Sequence, residues 1–212
     1  MQHAAVITML TDFLLAVVAA ACAGLLGYSI RRRRRLQASM AWWAGGFAAV
    51  AVAAIAGGLY HGVGEQAGVG LQSTLWKLMV YAVGAFNFAA LMGSIVGCVS
   101  GETRFRFMSL NVAVCLIYAV WMMTHDSFHY VVYDSAFAML GVLGLHAAYG
   151  HREPSTPWMI AAVVVSAFAA GVQVSGLGIA WLGHNDIYHL IQIAGLYLFY
   201  RGGTLLSDRG MA

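Results

Sequence analysis

Seven apolar stretches, each long enough to cross a bilayer, dominate this chain and leave little else for it to be. A helix needs about 20 predominantly apolar residues to span the hydrocarbon. The stretches fall near residues 5–29, 40–62, 74–99, 106–124, 128–149, 157–178 and 182–201. Short loops join them, so neighbours run antiparallel. Only 9% of the 212 residues are charged, against about 25% in soluble domains. The expected fold is all-α: a polytopic membrane protein, a single domain over 1–212 made of a bundle of seven transmembrane helices. The 25 glycines suit helices packed through small residues, with Gly57-Gly58 and the Gly141/Gly144 pair permitting close contact. Cys22, Cys98 and Cys115 lie in apolar segments and read as buried thiols.

Charge sets the expected orientation. The run Arg31 to Arg35 marks the first loop as cytoplasmic under the positive-inside rule and leaves the N-terminus outside. Alternation then puts Arg104, Arg106, Arg152, Arg201 and Arg209 inside, so that ten of the eleven basic residues agree. Lys77 falls on the outer side, where a snorkelling stem is favoured over a counter-ion role to Asp134 or Glu65. Trp42, Trp43 and Trp158 mark the inner interface, and Trp76, Trp121 and Trp181 the outer one. The start lacks a signal-peptide pattern: it carries no basic residue before the apolar run, and Asp12 interrupts that run. These features place the chain in a plasma membrane of the bacterial inner type, with a cytoplasmic C-terminus. The arginine run is a topology signal, and nucleic acid is not an expected partner.

The remaining polar residues segregate. His61 ends segment two, with Glu65 just beyond. His125, Asp126 and His129 open segment five, with Asp134 about one and a half turns deeper. His184, Asp186 and His189 open segment seven, and Asp12 lies about two turns into segment one. Five of the eight histidines and five of the eight acidic residues thus belong to the outer half. Ionisable groups within a membrane span default to function.

Residues three or four apart share a helix face. Asp186 pairs with His189 in this way, and His125 with His129. Such pairs meeting from several helices build metal sites in helical bundles. Neutral imidazole and carboxylate suit zinc, and also iron or copper. The candidate metal ligands are His61, His184, His189, His129, His125 and Asp12; Asp134, Glu65 and Asp186 are the candidate general bases. The bland alternative is a hydrogen-bond network between helices. A single histidine at a helix end is usually an interfacial hydrogen-bonder, the reading given to His146 and His151. Segment seven has no lysine, so it offers no Schiff-base site for a retinal-type chromophore.

Seven helices, an outside N-terminus, His61 near the outer end of segment two and the His184-Asn185-Asp186-Ile187-Tyr188-His189 start of segment seven form a pattern. It resembles the membrane hydrolase superfamily of alkaline ceramidases and progestin and adipoQ receptors (CREST). The signature there is Ser-x-x-x-His in helix two, an Asp early in helix three and His-x-x-x-His in helix seven. Here Gly57 holds the serine position, Asn185 stands four residues before His189, and early segment three has no aspartate; Asp12 or Asp134 would substitute. The resemblance implies that His61 and His189 bind zinc and that a metal-bound water attacks a lipid amide or ester at the outer side of the membrane, with membrane lipids as partners. Two other functions stay open. One is a redox protein with haem b between two histidines such as His61 and His189, or copper on His125, His129 and His184. The other is a transporter, sensor or assembly subunit that binds a metal ion or protons without catalysis and engages a membrane-protein partner.

Overall fold

The computed structural model describes residues 2–33, 37–63 and 68–210. It contains seven α-helices: α1 Gln2–Arg32, α2 Ala38–Val63, α3 Val69–Cys98, α4 Gly101–Thr124, α5 Phe128–Ala148, α6 Thr156–Ser175 and α7 His184–Leu205. Six of them, α1 to α6, are long and apolar enough to cross a membrane. This is the architecture of a helical membrane protein. α7 is equally long, but its first turns carry His184, Asn185, Asp186 and His189, which dilute its apolar character.

The helix bodies match the apolar stretches, and the ends differ where polar turns extend them. α3 and α4 each begin five residues before the expected start, because Gln72, Ser73, Glu102 and Arg104 are good enough helix residues to continue the hydrogen-bond ladder past the apolar run. α6 stops early. Gly176 adopts the left-handed conformation (φ 69°) that closes a helix C-terminus. A two-residue turn follows, in which Ile179 and Leu182 exchange backbone hydrogen bonds of 3.0 Å.

The helices form a ring in which α1 packs on α2, α2 on α3, α3 on α5, α5 on α6, α6 on α7 and α7 back on α1. α4 stands outside this ring, against α3, and barely touches α5. One end of the bundle carries His61, His125 and His184; the other carries Arg33, Arg104 and Arg201. The arginine half is plugged by aromatics. Trp43 stacks on Phe199 at 4.9 Å between ring centres, and Phe86 meets both edge-on. Trp43 is fully buried, so it is a core residue and not the interfacial anchor expected from its position. Its neighbour Trp42, on the outward face of α2, fits that role. The C-terminal segment ties this end together: Asp208 accepts hydrogen bonds from the Ala38 and Ser39 N–H groups, the otherwise unpartnered start of α2.

At the histidine end, the Lys77 stem carries its ammonium to the end of α4 and does not pair with Asp134. Its ammonium lies 2.6 Å from Asp126 and donates to the carbonyls of Met122 and His125 at 2.5 and 3.3 Å. It thereby closes the C-terminus of α4, whose last carbonyls have no intrahelical partner. Glu65, the other counter-ion considered, lies outside the described residues. Lys77→Met should lower stability by about 1 kcal/mol, because the lost bonds involve a charged donor at a partly solvated site. Thermal unfolding of the detergent-purified protein measures this; an unchanged midpoint would mean that the cap contributes nothing.

Candidate functional site

The acidic and imidazole groups that share one height in the bundle do not converge on one point. They divide between two places, because α5 packs against α3 and α6 and makes no contact with α1 or α7. The first place is the α1–α7 contact, with the end of α2 beside it. The second is the α3–α5 contact.

The α1–α7 site is built from one face of each helix. Thr8, Thr11 and Asp12 follow the i, i+3, i+4 spacing that puts them on one side of α1. Asp12 lies about 15 Å along the axis from Gln2. Asp186 and His189 share a face of α7. In space, His189 Nε2 is 3.2 Å from Asp12 Oδ1, and His189 Nδ1 is 3.0 Å from Thr11 Oγ1. Thr8 Oγ1 donates to Asp186 Oδ1 at 2.7 Å, and the Gly183 N–H donates to Asp186 Oδ2 at 2.7 Å. Asp12 is 4% exposed and His189 7%. The sequence of α2 permits this packing. A Cβ at Gly57 would lie 3.2 Å from Asp12 Oδ1, and one at Gly58 would lie 2.8 Å from the Phe13 ring. The Gly57-Gly58 pair therefore provides the close approach expected of it. Gly57 occupies the position compared above with a serine, and its missing side chain leaves room for the Asp12 carboxylate.

Thr11 couples to the state of the imidazole. Its hydroxyl has one proton and two acceptors in reach, the Thr8 carbonyl at 2.9 Å and His189 Nδ1 at 3.0 Å. Where it donates to Nδ1, His189 Nε2–H donates to Asp12 across the 3.2 Å contact. Where it donates to the Thr8 carbonyl, it accepts from Nδ1–H, and Nε2 of a neutral ring faces the carboxylate oxygen as a second acceptor, an arrangement that a shared cation would satisfy. The second carboxylate oxygen, Asp12 Oδ2, is buried and has no hydrogen-bond partner among the described residues.

The other expected site residues are placed as follows. His61 is half-buried near the end of α2, edge-on to Tyr60, and within electrostatic reach of His189 and Asp186. His184 is the half-buried first residue of α7. Asp186 is an N-terminal cap, occupied by Gly183 and Thr8, which leaves it poorly placed as a general base. His125 stacks on Trp121 at 4.0 Å between ring centres and bonds its carbonyl. His129 pairs with Ser127 at the start of α5. Asp134 accepts from Asn87 at 2.7 Å across the α3–α5 contact. Glu65, as noted for Lys77, cannot be placed. Among the described residues, no three His, Cys, Asp or Glu groups are arranged to hold a metal ion.

Sequence reasoning missed Thr8 and Thr11, although their spacing from Asp12 was visible. It also took His146 for an interfacial residue. His146 is fully buried, and its Nδ1 lies 3.7 Å from Cys98 Sγ and 3.2 Å from Thr156 Oγ1. α5 continues to Ala148 and is covered there by the ends of α3 and α6, so the apparent helix end lies inside the protein.

A family model described as "Family of unknown function (DUF6962)" matches residues 7–208. No curated protein matches the chain.

Proposed function

The chain belongs to that family of unknown function (DUF6962), and for this member we propose a cation-binding role in which Asp12 and His189 share one cation at the buried α1–α7 contact. The observation that carries the reading is the buried approach of His189 Nε2 to Asp12 Oδ1 at 3.2 Å, with Nδ1 against Thr11 and Asp12 Oδ2 without a partner among the described residues; with the Thr11 proton on the Thr8 carbonyl, the two facing atoms are both acceptors. A proton satisfies both atoms without any further donor. In this form the protein is a proton-binding transporter, sensor or assembly subunit. The Asp186–Thr8 bond lies beside the pair, on the way to the histidine end. The arginine end faces the cytoplasm and the pair sits in the opposite half of a bacterial inner-type membrane, with α7 as a seventh span.

A second reading, a zinc-dependent hydrolase acting on a lipid amide or ester, is favoured by the donor chemistry. Tetrahedral zinc with nitrogen and oxygen ligands sets neighbouring donors about 3.3 Å apart, close to the 3.2 Å between Nε2 and Oδ1. Metal-bound histidines hold their second nitrogen in a hydrogen bond, as Thr11 holds Nδ1. Asp12 and His189 would hold the ion, with His61 as the third donor after rotation of its side chain. The ion would supply an activated water at neutral pH. The copper trio is less well supported, since His125 and His129 are engaged in local contacts on α4 and α5, away from α7.

One experiment separates these readings. Metal content is measured on the detergent-purified protein, on His61→Ala and on His189→Ala. Infrared spectra of wild type, Asp12→Asn and His189→Ala are compared in the regions of the protonated carboxyl and of the imidazolium ring. About one zinc per chain, lost in both histidine variants, supports the hydrolase. No metal, with a carboxyl or imidazolium band that disappears in the variants, supports the proton. Neither metal nor either band would overturn the shared-cation reading.

A further inference from the structure

The loosest seam in the bundle lies on the far side of α3 from Asp12 and His189, between α4 and α5. These helices meet only marginally, and a groove opens between them with α3 as its floor. Leu91 and Ile95 form the floor, Phe107 and Leu110 one wall, Gly144 and Leu145 the other. The groove holds roughly 270 Å³, open on one side, just under the 300–1,000 Å³ of ordinary small-molecule sites and enough for part of one alkyl chain, the rest of which would lie against the bilayer. Glycine makes the room. A Cβ at Gly141 would meet Leu91 at 2.8 Å, so α5 sits tightly on α3 there, whereas a Cβ at Gly144 would meet nothing within 4 Å.

The groove is apolar along its length and polar at one end. Asn111 and Phe137 line both it and a smaller cavity that continues toward the histidine end, where Asp134, Asn87, Cys115 and Tyr118 line the walls. Asn87 donates to Asp134 Oδ2 at 2.7 Å and to Ser135 Oγ at 3.0 Å. Asn111 donates to the Phe88 carbonyl and Tyr118 to the Val80 carbonyl. Both Asn87 N–H groups and the Tyr118 hydroxyl are thus spent on the protein. A carboxylate has about four acceptor positions, so Asp134 keeps acceptor capacity for a ligand that donates.

We infer that this groove binds a single alkyl chain of a membrane lipid whose hydroxyl or N–H group donates to Asp134. The site lies at the depth of the hydrocarbon, where an open apolar slot fills with acyl chain. From Asp134 to Tyr149 it runs about 22 Å along α5, the length of a long-chain lipid tail. The groove is independent of the cation site: α3 separates the two.

The test uses the full chain in lipid nanodiscs, with a long-chain alcohol bearing a mid-chain diazirine as the probe and its methyl ether as the control. After illumination, labelled peptides are quantified by mass spectrometry. The alcohol should label 107–111 and 141–145 well above the lipid-facing stretch 164–168 of α6. Gly144→Phe should lower the groove label about tenfold and leave the α6 label unchanged. The ether should label the groove less than the alcohol, and Asp134→Asn should narrow that gap. If Gly144→Phe does not fold, Leu110→Trp fills the same space from the opposite wall. Equal labelling of all lipid-facing helices, or a groove label indifferent to both filling variants, overturns the site. Equal labelling by alcohol and ether overturns the donor assignment, and a cross-linked second protein in place of the probe overturns the lipid.

Discussion

Asp12→Asn should leave the protein nearly as stable as wild type while abolishing its cation binding, whereas Asp12→Leu should destabilise it by about 2–3 kcal/mol. The contrast follows from the proposed arrangement, in which Thr11 accepts from Nδ1–H and His189 Nε2 is an acceptor. An asparagine amide at position 12 donates N–H to that nitrogen, so the hydrogen bond forms without a proton or metal between the partners. Leucine has no donor and leaves a buried lone pair unsatisfied. His189→Leu strands the carboxylate instead, and an uncompensated buried charge costs about 3–5 kcal/mol. Replacing both groups removes both orphans, so Asp12→Leu with His189→Leu should cost less than the sum of the single changes, by about 1–3 kcal/mol. Reversible unfolding in mixed detergent measures all four species. Additive single effects, or an Asn variant as unstable as the Leu variant, would mean that the two side chains do not share a cation.

The sequence showed the height of each polar residue better than its neighbours. Apolar runs of hydrocarbon length fix where a helix sits along the bundle axis. Asp12, Asp134 and His189 were therefore placed together at one level. Lateral order is a different matter, because a run of apolar residues facing lipid looks the same as one facing another helix. Nothing in α4 announces that it stands outside the ring, yet that displacement separates His125 from α7, while α6 stands between His129 on α5 and α7. Trp43 shows the same ambiguity. It lies beside Trp42 at an interfacial height, and only the α2–α7 packing decides that one ring points inward. The helix ends moved by up to five residues because polar first turns propagate a helix as well as apolar ones. Thr8 and Thr11 were legible as neighbours of Asp12 by spacing, but threonine is common in membrane helices and carries no signal until its partner is known. Lys77 stands at the expected end of the bundle, but its partners are Asp126 and the last carbonyls of α4, which no side-chain pattern reveals.

Trp43→Ala should be the most damaging single truncation in the bundle, at about 3–5 kcal/mol. The indole is fully buried, stacks on Phe199 of α7 and contacts Phe47 of α2 and Phe86 of α3. One side chain thus joins three helices in the arginine half. Gly93 is shaped to it: a Cβ there would lie 2.7 Å from the Trp43 ring. In hydrocarbon, burial of an apolar group away from lipid contributes little, and helix association rests on packing and polar bonds. The loss on truncation is therefore mostly the cavity and the missing ring contacts, which lipid cannot refill because the site faces the ring interior. Trp43 Nε1 has no hydrogen-bond partner and is buried, so the native residue carries a cost that phenylalanine would not. Trp43→Phe should accordingly lose only about 1 kcal/mol, with the smaller ring offset by the removed N–H. Trp42→Ala, on the outward face with only Phe88 edge-on to it, should stay within about 1 kcal/mol. Unfolding midpoints of the three variants, measured in the same detergent, decide the matter. A Trp42→Ala loss as large as that of Trp43→Ala would show that the interface, and not the aromatic plug, holds this half together.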